Sequence, residues 1–353
     1  MSNDAPVNQR DSGASQMPHR HETRQSRWLR PILSILAIYV GLVLMFYFLQ
    51  RSMIYLPVRE QRIEPEEAGL PRGQVHTVIV RADDQLELRG WHVLADGQRA
   101  ATREECDREL ASGRKLVLYF SGNGGNRRHR VSEFRILTSL GVDVFNFDYR
   151  GFGDNLGSPS EARIAADARA IWDYATRERK VEPGRIILYG ESLGGAVAVR
   201  LAAELCEADS PPAGVILRST FSSLVDAGAH HYPWLPVRHA LIDRVNSIER
   251  IPQLTCPILQ IHGTRDSIMP IELGRKLFEA APKQSSSGIA KKFAELPGAG
   301  HNDVTLIAEA ELRAAIGKYL NALSLCLLYT SPSPRDIHHN LVFRDMRVKR
   351  GGG

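Results

Sequence analysis

Arg185-Ile186-Ile187-Leu188-Tyr189-Gly190-Glu191-Ser192-Leu193-Gly194 runs directly into Gly195-Ala196-Val197-Ala198-Val199-Arg200-Leu201-Ala202-Ala203-Glu204-Leu205. The first five residues favour a strand, and the alanine- and leucine-rich run favours a helix. Between them lies a tight turn whose apex serine has a glycine two residues to either side. Such spacing is needed when the serine backbone is held in a sparsely populated conformation, because a Cβ at either flanking position would meet the neighbouring strand or helix. The strain lifts the hydroxyl clear of the turn. The helix N-terminus beneath it favours the negative charge that develops during acyl transfer. Strand, G-x-S-x-G turn and helix together are the context of a nucleophile elbow, which predicts serine hydrolase chemistry at Ser192.

Outward from this motif, short apolar runs alternate with helical stretches. Strands are expected at 115–120, 142–147, 186–189, 214–218 and 257–262, with helices near 128–140, 161–178, 195–207 and 270–281. Apolar strands alternating with helices imply a parallel sheet covered on both faces. Upstream, 75–80 and 86–94 flank Asp83-Asp84 and are expected to form a hairpin. Residues 96–113 are charged and are expected to be a surface insertion. Residues 291–296 supply a last strand, and 303–323 a closing amphipathic helix. The expected fold class is therefore α/β, with a mostly parallel eight-stranded sheet and helices on both faces.

A serine hydroxyl is a weak nucleophile at neutral pH and needs a general base, itself oriented by a third group. For a strand–turn–helix nucleophile the chain order is serine, acid, histidine. Asp266 follows the strand ending at His262, in Gly263-Thr264-Arg265-Asp266-Ser267-Ile268-Met269-Pro270. His301 follows the last strand, in Pro297-Gly298-Ala299-Gly300-His301-Asn302-Asp303. Both fall where loops converge outside the carboxyl ends of the strands, on the side of Ser192. Asp266 could instead cap the next helix, and Asp303 is the better candidate for capping the last one. His262 is expected to be packed or hydrogen-bonded at a strand end, and His230 and His231 to be solvated or packed. An oxyanion hole requires the N–H of Leu193 and one from the glycine-rich loop Ser121-Gly122-Asn123-Gly124-Gly125-Asn126, where Asn123 is the chosen donor. No Gly-Lys-Ser/Thr follows that loop, so it is not a phosphate cradle. Neither a cofactor nor a metal is expected.

The 353 residues carry a formal charge of +5, but the segment from Cys326 onward accounts for +3 of it, so nucleic acid is not an expected partner. Cys106, Cys206 and Cys256 lack C-x-x-C spacing and give neither a metal site nor a disulfide framework. Residues 1–27 are polar and without period, and are expected to be disordered. Residues 31–50 carry no charge. At about 1.5 Å per residue, a helix of that length crosses the roughly 30 Å hydrocarbon core of a bilayer. Trp28, Arg30, Arg51 and Tyr55 sit at its ends, where interfacial anchors belong, and no small-residue cleavage site follows. Arg20, Arg24, Arg27 and Arg30 before the span, against Arg51, Arg59 and Arg62 after it, lean towards a cytoplasmic N-terminus and a catalytic domain outside the cytoplasm. The stretch Cys326-Leu327-Leu328-Tyr329-Thr330-Ser331-Pro332-Ser333-Pro334-Arg335-Asp336 matches a translated sequencing adapter, and 326–353 is set aside as an artefact without fold.

Several of these segments together resemble a known group. They are Gln50-Arg51-Ser52-Met53-Ile54-Tyr55-Leu56-Pro57 after the span, Gly122-Asn123-Gly124-Gly125-Asn126, Phe147-Asp148-Tyr149-Arg150-Gly151-Phe152-Gly153, Ser158-Pro159-Ser160-Glu161, Gly190 to Gly195, Gly263 to Pro270, and Gly300-His301. From about Trp28 to Leu323 the chain resembles the α/β-hydrolase superfamily, and more narrowly its membrane-anchored abhydrolase-domain serine hydrolases, including the budding-emergence-like group. The resemblance implies an α/β-hydrolase fold with Ser192 as nucleophile, His301 as base and Asp266 as orienting acid. It also implies action on acyl esters, thioesters or lipids. Two departures stand out: Ser121 replaces the family's usual His before Gly122-Asn123, and Asp154-Asn155 stands where a Ser is common.

The resulting organisation is a tail (1–27), a membrane anchor (28–55), a hydrolase domain (56–325) with a lid-like insertion at about 221–254, and the adapter-like segment (326–353). The expected activity is hydrolysis of carboxylic ester or thioester bonds, of small-molecule or lipid acyl substrates, through an acyl-enzyme. A serine peptidase of the same fold and a catalytically silent scaffold tethered to the membrane are the alternatives.

Overall fold

The structure is a computed structural model describing residues 24–330 except Ser112. Most of the expected tail (1–23) and of the adapter-like segment (331–353) lies outside the described residues. The chain divides into two compact units, one up to Phe48 and one from Leu49 onward.

Helix α1, Arg24–Ile54, carries the uncharged run. Its stretch Trp28–Ile54 is the one helix among the described residues long and apolar enough to cross a membrane. It exposes Ile32, Ile35, Ile38 and Phe48 along its length.

The second unit is built on eight strands: β1 Val75–Arg81, β2 Glu87–Val93, β3 Leu116–Phe120, β4 Asp143–Phe147, β5 Ile186–Glu191, β6 Gly214–Arg218, β7 Ile258–Gly263 and β8 Lys292–Leu296. Their spatial order is β8-β7-β6-β5-β3-β4-β2-β1. β2 runs antiparallel to both β1 and β4, and every other neighbouring pair is parallel. Alternate residues of each central strand enter opposite layers, as a period of two demands when both faces are covered. Leu116, Leu118, Phe120, Leu188 and Leu217 join one core. Val117, Tyr119, Ile187, Tyr189 and Ile216 join the other.

Helices α4 Glu161–Asp173, α5 Leu193–Glu207 and α8 Ile271–Ala280 supply buried residues to the first layer, while α3 Val131–Ser139 and α10 Glu309–Thr330 supply the second. The 96–113 region is more ordered than its charge suggests. It contains α2, Arg103–Ala111, whose Cys106 and Leu110 are spaced one helical turn apart and are both buried. The expected helix at 303–323 is split into α9, Val304–Ile307, and α10 by Ala308, which leaves helical geometry at φ −137° and ψ 40°. α10 then continues to Thr330, beyond the expected boundary at Cys326. Between β6 and β7 lie α6 Leu224–His231, α7 Val237–Ala240 and a 3₁₀ turn at Ile251–Gln253.

The sheet reaches closest to its helices at the elbow. An added Cβ at Gly194 would sit 2.0 Å from the carbonyl oxygen of Phe120, and at Gly190 it would sit 2.4 Å from that of Gly194. Both contacts are with backbone, which cannot swing aside. Gly194→Ala is therefore expected to cost at least about 2 kcal/mol by overpacking. Gly184→Ala, where the added Cβ meets nothing within 4 Å, should stay within about 0.5 kcal/mol of wild type. Urea unfolding of the two variants measures the difference.

Candidate active site

β5 ends at Glu191 and α5 begins at Leu193, so Ser192 alone makes the turn, at φ 52° and ψ −114°. A non-glycine residue in this region is strained, and it persists only where surrounding bonds fix it. Here the Ser192 N–H donates to the carbonyl of Arg218 at 2.8 Å. The Ser192 carbonyl accepts from the Thr220 hydroxyl at 2.9 Å. Both partners lie at or just past the end of β6, so the neighbouring strand holds the apex from both sides.

The structure brings together the three side chains singled out in the sequence. His301 Nε2 lies 3.1 Å from Ser192 Oγ, and His301 Nδ1 lies 2.7 Å from Asp266 Oδ2. All three residues are buried. Burial acts to raise the Asp266 carboxyl, but hydrogen bonds from His262, His301 and the Met269 N–H outweigh it and hold it well below the usual carboxylate range. An ionised carboxylate only accepts hydrogen bonds. An imidazole with its proton on Nδ1, facing this carboxylate, has Nε2 free to accept the Ser192 hydroxyl. The Asp266 side chain is shared between its two candidate roles: Oδ1 accepts the Ile268 and Met269 N–H groups at 3.0 and 2.7 Å, just ahead of α8, while Oδ2 faces His301.

The other acids and histidines sort themselves differently. His262 is fully buried, with Nε2 2.8 Å from the Met269 carbonyl and 3.4 Å from Asp266 Oδ2, and so packs behind the acid. His231 Nε2 meets the Ile268 carbonyl at 2.8 Å, and His230 stacks edge-on against it. Asp303 corrects an expectation. It occupies the N-cap position of α9, yet its side chain caps no helix N–H and instead accepts the Gly300 N–H at 2.6 Å. The carboxylate thus turns back into the tight loop that carries His301.

The glycine-rich loop after β3 is held from several directions. Tyr149 donates its hydroxyl to the Ser121 carbonyl at 2.8 Å, and Asn146 Nδ2 donates to Ser121 Oγ at 3.1 Å. Those bonds tether the loop at the position where Ser121 departs from the family pattern. Arg130 Nη2 donates to the Gly124 carbonyl at 2.8 Å. Leu193 opens α5, so its N–H has no intrahelical acceptor. The Asn123 N–H donates to no backbone carbonyl among the described residues.

Sequence reasoning missed the charged cluster under this site. Glu191 and Arg218 are direct partners across β5 and β6, and Arg218 Nη2 lies 3.0 Å from Glu191. Arg218 Nε lies 2.6 Å from Glu133 of α3, and Arg218 Nη1 donates to the His301 carbonyl at 3.3 Å. Arg130 pairs with Glu191, and Tyr119 bonds to both Glu133 and Glu191. Tyr189 donates to Glu133 at 3.0 Å. Burial acts to raise Glu191 and to lower Arg218, but the opposite charges reverse both, so the acid is held low and the base well above its ordinary value. Asp154 and Asn155 also acquire roles. Asp154 accepts from Arg127, which is fully buried, pairs with Asp148 and lies over the Trp91 ring. Asn155 bridges Arg89 and the Asp148 carbonyl. The available signal was an arginine or acid inside or beside otherwise apolar strands, which only buried pairing explains.

The family model described as serine aminopeptidase, S33, matches residues 111–245, a span that includes Ser192 and stops short of Asp266 and His301. An uncharacterized protein of Mycobacterium tuberculosis is 38% identical over 291 residues, covering 82% of this chain and 94% of that protein. The lysophosphatidylserine lipase ABHD12 of Rattus norvegicus is 30% identical over 320 residues, covering 82% of this chain and 78% of the relative. In fold, the chain is similar to the Pyrococcus furiosus esterase Pf2001, with a TM-score of 0.56 at 18% identity over 76% of this chain and 98% of that one. An elbow serine within hydrogen-bonding distance of a buried histidine, on an eight-stranded sheet with these relatives, has one reading: the chain belongs to the abhydrolase-domain serine hydrolases of the α/β-hydrolase superfamily, as an esterase- and lipase-like enzyme.

Proposed function

We propose that the protein is a membrane-anchored serine hydrolase that cleaves carboxylic ester or thioester bonds of lipid-like acyl substrates through an acyl-enzyme. The observation that carries this reading is His301, set between Ser192 at 3.1 Å and Asp266 at 2.7 Å. Ser192 Oγ attacks the acyl carbonyl carbon as His301 Nε2 takes the hydroxyl proton. Asp266 holds the imidazole in the tautomer that makes this possible and stabilises the imidazolium that forms. The N–H groups of Leu193 and Asn123 receive the developing oxyanion, with each such donor worth about 10²–10³ in rate. As the tetrahedral species collapses, His301 returns the proton to the departing alcohol or thiol. Water, activated by the same imidazole, then releases the acid and restores Ser192.

An acyl-lipid substrate is supported by the lysophosphatidylserine lipases among the relatives and by the apolar helix Trp28–Ile54. In this reading residues 28–55 anchor the chain, 56–325 form the hydrolase domain with 221–254 as a lid-like insertion, and the slight arginine bias leans towards a domain outside the cytoplasm. The description of the matching family as an aminopeptidase supports peptide amides as the second reading.

A fluorophosphonate probe should label the full-length protein, and Ser192→Ala should abolish labelling and lower kcat by about 10⁴-fold or more. Failure of the folded wild type to label would overturn the assignment. Of p-nitrophenyl acyl esters, acyl thioesters and aminoacyl amides offered side by side, the esters or thioesters should be turned over faster, whereas turnover of amides alone would favour the peptidase.

Asp266→Asn should lower kcat by about 10⁴-fold near neutral pH by disfavouring the productive tautomer. Its stability has a separate signature. The folded carboxyl is depressed, so the stabilisation is fully present above the unfolded value of about 3.9 and disappears as pH falls through the lower folded value. The melting-temperature gap between wild type and Asp266→Asn should thus stay constant from neutral pH down to about 5 and close below about 4. The full chain should also resist alkaline carbonate extraction from membranes, while a chain lacking residues 1–48 should be released.

A further inference from the structure

The last turn of the apolar helix and the residues just after it carry a distinctive run, residues 50–57, that the hydrolytic reading leaves without a task. In the structure it grips two separate parts of the site's surroundings.

The first grip is on the glycine-rich loop. Asn123 Nδ2 donates to the Ile54 carbonyl at 2.9 Å, and the Leu56 N–H donates to the Asn123 carbonyl at 2.9 Å. Leu56–Pro57 then pairs in parallel with Gly124–Gly125 as a two-residue sheet of its own. Asn123 is thus bonded through its side chain and its carbonyl, leaving its N–H for another acceptor.

The second grip is on the insertion after β6. Gln50 is buried and holds two backbone groups there, accepting from the Ile242 N–H at 2.7 Å and donating to the Ala240 carbonyl at 3.3 Å. Arg51 meets Asp243 with two parallel bonds of 3.1 Å, and Tyr55 donates its hydroxyl to the same carboxylate at 3.0 Å. Asp243 and Tyr55 are both buried. Two residues on, Val245 has φ 45°, a strained value for a β-branched residue, and its N–H is held by Glu161 at 2.9 Å. Strain of this kind persists only where neighbouring contacts over-determine it. Tyr55, Val245 and Leu193 line one pocket with Ile164 and Val197, so the gripped segment reaches the residue next to Ser192.

We propose that residues 50–57 are a positioning element of the hydrolytic site. They set the Asn123 N–H through the loop and the wall beside Leu193 through Asp243. The proposal rests on the reading of Ser192 as nucleophile with Asn123 and Leu193 as oxyanion donors. Neither Tyr55 nor Asp243 touches the reacting atoms. Their effect falls on how well the donors are aimed, and so on kcat more than on binding.

The test uses full-length protein in detergent with a short-chain p-nitrophenyl ester. Tyr55→Phe keeps the ring and removes one bond to Asp243, and Asp243→Asn keeps the shape and removes the charge. Each should lower kcat about 3- to 30-fold, a fraction of the about 10²–10³ that full loss of a donor costs, with KM within about twofold of wild type. The double variant should fall less than the product of the two single losses, because both changes act on the same Tyr55–Asp243 contact. Arg51→Lys should retain more activity than Arg51→Ala. Unchanged kcat in folded Tyr55→Phe, or a loss confined to KM, overturns the proposal while leaving the hydrolase reading intact. A wild type that neither labels with fluorophosphonate nor cleaves esters overturns both. Should Asp243→Asn fail to fold, hydrogen exchange in Tyr55→Phe decides: faster exchange of amides 122–126 supports the clamp, and unchanged exchange refutes it.

Discussion

Four paired charges at the carboxyl edge of the sheet, three of them buried, hold the working end of this molecule together. Glu133, Glu191 and Arg218 are buried and Arg130 is half-buried beside them, and burial costs an ion several kcal/mol unless it is paired. Two acids against two guanidinium groups close the charge balance, and the hydroxyls of Tyr119 and Tyr189 occupy remaining acceptor sites. The cluster links β3, β5, β6 and α3, and through the His301 carbonyl it reaches the last loop. Losing a single member would leave an unmatched charge in a dry interior, a penalty of about 3–5 kcal/mol. Its geometry therefore has little freedom to drift.

That rigidity explains how Ser192 can remain strained. A left-handed backbone at a non-glycine residue costs on the order of 1–3 kcal/mol, which the surroundings must offset. Arg218 takes part twice, with its side chain in the charge cluster and its carbonyl on the Ser192 N–H. The residue before the apex, Glu191, belongs to the same cluster. The turn is thus fixed on the strand side by electrostatics, and on the helix side by backbone contacts so close that only glycine fits. The insertion after β6 has no such foundation. It is anchored by apolar residues at its two ends, Phe221, Ile251 and Leu254, and between them by polar bonds to neighbouring segments such as those at Asp243 and Val245.

Much of the fold was legible because its signals are local. Short runs of four to nine residues marked the eight strands to within a residue or two, and the glycines about Ser192 announced a close approach that the structure contains. Ser192, Asp266 and His301 could be picked out because each follows the carboxyl end of a strand, and their side chains do meet. Pairings between distant segments were illegible. Nothing local tells that Arg218 faces Glu133, that Arg127 lies over Trp91, or that Asp303 would bond back to Gly300 in preference to capping a helix. Charge density misled at 96–113, where two apolar residues one turn apart suffice to dock a helix. The break at Ala308 was equally hidden, since alanine favours helix and only tertiary context overrides it.

Chain order adds a consequence in time. His301 follows Ser192 by 109 residues and lies between the last strand of the sheet and the closing helices. In α10, Tyr319 places its hydroxyl within hydrogen-bonding distance of the Val215 N–H and the carbonyls of Val215 and Pro257, stitching the beginnings of β6 and β7 from below. A ribosome delivers Ser192 and its strained turn well before it delivers His301 or the tyrosine that braces the sheet. The growing chain, already carrying its apolar N-terminal helix, therefore presents a serine without an imidazole partner for the whole interval. The meeting of Ser192 with His301 must wait until β8 has been made, a delay written into the order of the strands.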